Sequence, residues 1–93
     1  MEYRFDGGTN ESVTVGATST QVLTAKSGRL YALLINDSNE TIYLGLGEAA
    51  VMNKGIPLFP HGGFIEFGGS RPFIGEVNAI CASGSKNLSY FDA

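Results

Sequence analysis

Residues 29–47 read RLYALLINDSNETIYLGLG, two apolar runs either side of the polar spacer NDSNE. In the second run Ile42, Leu44 and Leu46 alternate with Tyr43, Gly45 and Gly47, and a period of two is the signature of a strand with one buried face. The Tyr43, Gly45 and Gly47 face is small and flat, as expected where another backbone or a neighbouring chain comes close. In the first run Tyr31, Leu33 and Ile35 alternate with Leu30, Ala32 and Leu34, so both faces are apolar. That strand is expected at the centre of a sheet, covered on both sides. Asn, Asp and Ser side chains close turns by bonding nearby backbone, so Arg29–Asn36 and Thr41–Leu46 are expected to pair as a hairpin.

The same pattern recurs along the chain, interrupted every several residues by Gly, Pro, Asn or Ser. Further strands are expected at Ser12–Val15, Gln21–Ala25, Ile56–Phe59, Phe64–Phe67, Val77–Ala82 and Leu88–Phe91. No window has the spacing of a long amphipathic helix; only Glu48–Lys54 could form a helical turn or two, as a crossover ended by Gly55 and Pro57. The expectation is an all-β fold, a small antiparallel β-sandwich or flattened barrel of about eight short strands. Residues 1–11, ending in DGGTNE, read as an arm on a flexible hinge, or else as a frayed terminus or an extra edge strand, with residues 12–93 as the sandwich domain.

Composition narrows the function classes. The 93 residues make one domain, burying roughly 60–65% of the unfolded chain's surface, and charged residues are only 16% of the chain. A surface so poor in charge favours association. The net charge is −3, and Arg4, Lys26, Arg29, Lys54, Arg71 and Lys86 are scattered singly, which disfavours a nucleic-acid partner because phosphate binding needs clustered cations. No stretch has the length of a membrane span and the N-terminus lacks a signal-peptide core, so a soluble protein made in the cytoplasm is expected. Cys81 lies in the apolar run Val77–Ala82 and reads as a small buried thiol. The Asn-x-Ser/Thr triplets at Asn10, Asn36, Asn39 and Asn87 read as turn chemistry.

Catalytic and cofactor patterns are weak. Gly45–Ala50 fits G-x-G-x-x-A, but a dinucleotide site needs a helix over the pyrophosphate and a following parallel strand, and Gly55, Pro57, Pro60, Gly62 and Gly63 leave no room for one. One His and one Cys twenty residues apart cannot make a zinc site, and Asn36–Glu40 offers only a weak calcium loop beside its reading as a solvated turn. His61 has no nucleophile elbow to serve as base. Glu66 and Glu76 are the only conceivable carboxylate pair for glycoside cleavage. No enzyme activity and no cofactor are expected.

The aromatic residues say more. The stretch 56–69, IPLFPHGGFIEFGG, holds Phe59, Phe64 and Phe67 around His61, and Phe73, Tyr3, Phe5, Tyr90 and Phe91 lie elsewhere. A domain of this size can bury about half of them, and the remainder would form apolar patches that mark a partner. The strings VTVGATSTQVLTA, RLYALLIND, TIYLGLGEAA, GIPLFPHGGFIEF and GEVNAICASG, over about residues 12–84, resemble small β-structured virion proteins of tailed bacteriophages, which serve as head decorations, head fibres or tail-associated modules. The resemblance implies a virion protein made in the host cytoplasm, a capsid decoration binding the major capsid protein as a homo-oligomer, specifically a trimer. The contacts expected on that reading are the arm through Tyr3, Arg4 and Phe5, the corner of Phe59, His61 and Phe64, and the segment from Arg71 to Phe73. The alternative is a tail, collar or baseplate component, or a module that binds host glycan.

Overall fold

The computed structural model describes residues 7–69 and 72–93. They form eight strands: β1 (Thr9–Val15), β2 (Thr20–Leu23), β3 (Ala32–Asn36), β4 (Ile42–Leu46), β5 (Ile56–Leu58), β6 (Phe64–Phe67), β7 (Val77–Ile80) and β8 (Lys86–Asp92). They build two four-stranded sheets, β1-β8-β3-β6 and β2-β7-β4-β5, and every neighbouring pair is antiparallel. The fold is the small all-β sandwich expected from the alternation. Between the sheets lie Val15, Leu23, Ala32, Leu34, Ile42, Leu44, Leu58, Val77, Ala79, Cys81 and Leu88, all nearly or completely removed from solvent.

The pairing differs from the expected hairpin. β3 and β4 lie in different sheets, and every connection except β4–β5 crosses from one sheet to the other. The NDSNE turn is an arch. Asn36 is fully buried; its Nδ2 donates to the carbonyls of Glu40 at 2.6 Å and Leu58 at 2.8 Å, and its Oδ1 accepts from Ser38 Oγ at 2.6 Å. Those bonds hold the chain end of β3 against the end of β5 in the opposite sheet, which a two-stranded hairpin would not allow. The 47–55 segment is likewise corrected. It contains no helix and makes no crossover: it returns β4 to its neighbour β5 through a turn closed by Lys54 N and Val51 O. Gly55 sits at φ +84°, where a Cβ would lie 2.1 Å from the Leu44 carbonyl oxygen, so only glycine permits that return.

The arm boundary also moves. Thr9, Asn10 and Glu11 pair with Asp92, Phe91 and Tyr90 of β8, so they belong to the sheet; Met1–Asp6 lie outside the described residues. β3 is central, between β8 and β6, but it is covered on one face only. Ala32 and Leu34 are buried, whereas Tyr31, Leu33 and Ile35 on the other face are half-buried.

The β7–β8 connection is tied to the arch through Glu40, whose carboxylate accepts from Ser83 N at 3.1 Å and from Ser83 Oγ. These bonds hold the Glu40 carboxyl below the usual carboxylate range, because hydrogen bonds to the charged form favour it. A depressed folded-state value means that the contribution to stability is present above the unfolded-chain value, and is lost as pH falls through the folded one. Replacing Glu40→Gln is therefore expected to flatten the fall of melting temperature with acidification below about pH 5, measured by thermal unfolding across a pH series. A slope equal to that of the parent chain would rule out this role.

Candidate protein-contact surface

The outer faces of the two sheets differ. In the β2-β7-β4-β5 sheet, the chain's own 47–55 segment folds back over the middle: a Cβ at Gly45 would meet the carbonyl oxygens of Glu48 and Ala49 at 2.8 Å, and Asn78 Nδ2 donates to the Glu48 carbonyl at 2.7 Å. The close backbone approach expected at Gly45 is met by this segment. The outer face of β1-β8-β3-β6 has no such roof among the described residues.

Registers build that second face row by row. Asn10, Phe91, Leu33 and Glu66 lie side by side across β1, β8, β3 and β6; Ser12, Ser89, Ile35 and Phe64 form the next row. The paired serines are low beside Ile35, and a shallow groove of about 530 Å³ results, lined by Asn10, Ser12, Leu33, Ile35, Ser89 and Phe91 among others. At one end of the face Tyr31 donates to Glu66 Oε2 at 2.5 Å and packs its ring 6.1 Å from that of Phe91. Its bond to the Glu66 carboxylate pushes the Tyr31 hydroxyl pKa up.

At the other end stands the β5–β6 corner. Phe59 is 65% and Phe64 61% exposed, an unusual condition for two neighbouring phenylalanines. The corner is shaped by His61, at φ +62°, whose backbone N–H donates to the Ser38 carbonyl at 2.9 Å while Gly62 N donates to Asn36 O. The imidazole is exposed, and among the described residues no hydrogen bond joins it to a serine.

Phe59, His61 and Phe64 all lie at this corner. Phe73 is not with them: it lies beyond the opposite end of β6, half-buried against the core with its ring 5.7 Å from Phe67. Tyr3, Arg4, Phe5 and Arg71 lie outside the described residues. Sequence reasoning named Phe91 among the aromatic residues but missed Leu33 and Ile35, because apolar residues on both faces of β3 read as a strand covered twice. Polar partners in alternation along β1 and β8, namely Asn10, Ser12 and Thr14 with Asn87 and Ser89, were the signal that this side faces outward.

The chemical candidates separate. Glu66 lies in one sheet with Tyr31, while Glu76 precedes β7 in the other. Among the described residues no three His, Cys, Asp or Glu side chains cluster to hold a metal. Cys81 is fully buried, with its thiol donating to the Ser83 carbonyl at 2.6 Å, and burial pushes its pKa up. Gly45–Ala50 runs from an antiparallel strand into an irregular loop, without the helix a dinucleotide would need.

The fold and surface define a small all-β sandwich with one outer sheet face, part apolar and part polar, that no other segment covers among the described residues. Comparison with protein-family models, with curated proteins and with solved structures finds no match to this chain.

Proposed function

We propose that this chain is a non-enzymatic virion structural protein, a decoration that binds the outside of a tailed-phage head through the major capsid protein and stabilises it as a homo-oligomer. The observation that carries this reading is the outer face of β1-β8-β3-β6, which has no roof among the described residues and sets half-buried Leu33 and Ile35 beside the exposed Phe64, with the exposed Phe59 at the nearby β5–β6 corner. Exposed aromatic residues are enriched at the core of protein contacts, and the resemblance of residues 12–84 supplies the virion setting.

The test is the copy ratio to coat protein in purified particles, by quantitative mass spectrometry, together with rebinding of two variants. Ile35→Asp and Phe64→Asp place a charge on the outer face, away from the core, so circular dichroism is expected to stay unchanged. Rebinding is expected to fall by about thirtyfold or more, the loss of a contact hot spot. A coat-like ratio with that loss supports the decoration. Absence from particles, or unchanged rebinding, overturns it.

A second reading, a tail-associated or glycan-binding module, is favoured by one observation: Asn10, Ser12 and Ser89 line the groove beside Phe91, polar groups next to an aromatic ring. A trace copy ratio and a positive glycan array would select it.

A further inference from the structure

Among the described residues the sandwich has four edge strands, and three are blunted. β5 has only three residues and carries Pro57; β2 has four and a register shift between Gln21 and Leu23; β6 has four, with Glu66 among them. Short length, proline, bulges and charge are the devices that stop an edge from pairing with another chain. β1 has none of the first three. It runs for seven residues, in unbroken register with β8, without proline, with Glu11 its single charge, and Thr9–Ser12 and Thr14 are exposed.

The groups it offers follow from the ladder. Ala93 and Tyr31 exchange backbone bonds, Ala93 N to Tyr31 O at 2.8 Å and Tyr31 N to Ala93 O at 3.3 Å, and Asp37 N donates to Asn87 O. The odd-numbered residues of β8 therefore point their amides and carbonyls towards β3, and the even-numbered ones, Lys86, Leu88, Tyr90 and Asp92, point theirs towards β1. Their partners are Val15, Val13, Glu11 and Thr9. The N–H and C=O groups of Asn10, Ser12 and Thr14 are left pointing to the open edge, unpaired by any strand among the described residues.

We propose that this edge pairs with β1 of a second copy, antiparallel about a two-fold axis at Ser12, joining two β1-β8-β3-β6 sheets into one continuous sheet. Centred there, Ser12 faces Ser12 and Asn10 faces Thr14 of the other copy, so each of the three residues makes both of its missing bonds. Glu11 falls opposite Val13, not opposite its own copy, so the single charge of the strand meets no like charge. The arrangement is isologous and closes on itself as a dimer. A strand ladder alone is smaller than a standard interface, so the dimer is expected to dissociate in the micromolar range. It deepens the self-association part of the proposed function and is independent of the virion part. It also departs from the trimer that the resemblance implies.

The experiment is sedimentation equilibrium of the full chain from micromolar to millimolar concentration, with amide hydrogen exchange at both ends of the range. The mass is expected to rise from 9.8 kDa towards twice that value, while the Asn10, Ser12 and Thr14 amides gain protection. Ser12→Pro removes a donor that the β8 ladder does not use, and is expected to leave a folded monomer. Should that variant unfold, Ser12→Cys serves instead: across the two-fold axis, with added oxidised glutathione as the oxidant, it is expected to form a disulfide-linked dimer, while buried Cys81 stays reduced. A chain that stays monomeric throughout, forms a trimer, or dimerises with those three amides still open overturns the proposal, whatever the particle measurements give.

Discussion

Arg29→Ala is expected to lower the stability of the fold by about 3–5 kcal/mol, the cost of removing one partner of a buried ion pair. The guanidinium is almost wholly buried, and its donors converge on four acceptors. Nε meets Asp92 Oδ1 at 2.8 Å, Nη1 meets the carbonyls of Phe73 and Gly75 at 3.0 and 3.1 Å, and Nη2 meets the Thr24 carbonyl at 2.8 Å. Thr24 leaves β2 in one sheet, Asp92 ends β8 in the other, and Phe73 and Gly75 lie in the β6–β7 connection. One side chain therefore closes this end of the sandwich.

Alanine would leave three carbonyls without this donor around a cavity, and the largely buried Asp92 carboxylate with Lys26 Nζ, 3.9 Å away, as its remaining cation among the described residues. A domain of this size has a total stability of roughly 5–14 kcal/mol, so the loss is a large share of it. The melting temperature is expected to fall by more than about 12 °C, measured by calorimetry or circular dichroism. Arg29→Lys keeps the charge, yet a single ammonium cannot span the fork, so it should fall well short of the parent. The double change Arg29→Met with Asp92→Leu separates the two contributions. If the ion pair were the whole effect, two apolar residues would restore stability; because three main-chain carbonyls lose their donors as well, restoration is expected to be partial at best. An Arg29→Ala chain melting within a few degrees of the parent would show that water replaces the side chain without loss.

What was legible in the sequence follows from the range over which each signal acts. Alternation is local, so the eight strands lie close to their expected places, and Phe64–Phe67 coincides with its strand. Pairing is not local. NDSNE supplies the same turn chemistry to a hairpin as to an arch; what decides is the bond from Asn36 to the Leu58 carbonyl, 22 positions away. Arg29 was invisible for a related reason: a lone arginine reads as surface charge, and three of its acceptors are backbone carbonyls, which leave no mark in the sequence. The Phe59–Phe64 corner was legible because glycine and proline fix a turn beside large apolar residues. The Leu33 and Ile35 face was not, because only the polar character of its β1 and β8 neighbours shows that it points outward.

Asn36→Ala is expected to cost about 1–3 kcal/mol, the cost of a buried unsatisfied group, since the Leu58 carbonyl inside the arch would lose the Asn36 donor while the Glu40 carbonyl keeps Ser38 Oγ at 3.1 Å. Asn36 closes the opposite end of β3 from Arg29, so its loss would open the arch that carries the chain from one sheet to the other. The isosteric Asn36→Asp sharpens the test. At neutral pH the introduced carboxylate would be buried against two carbonyl oxygens with nothing to donate, and it is expected to destabilise the fold more than alanine does. Burial and those acceptors favour the neutral acid and raise the folded-state value, so the defect should shrink as pH falls through that raised value: the protonated acid regains a donor. Stability of the Asn36→Asp chain is thus expected to improve relative to Asn36→Ala on acidification, measured by urea unfolding at a series of pH values. Cavity formation alone would affect the alanine chain and leave the aspartate chain near the parent at every pH, so a parallel pH course for the two variants would refute the donor role assigned to Asn36 Nδ2.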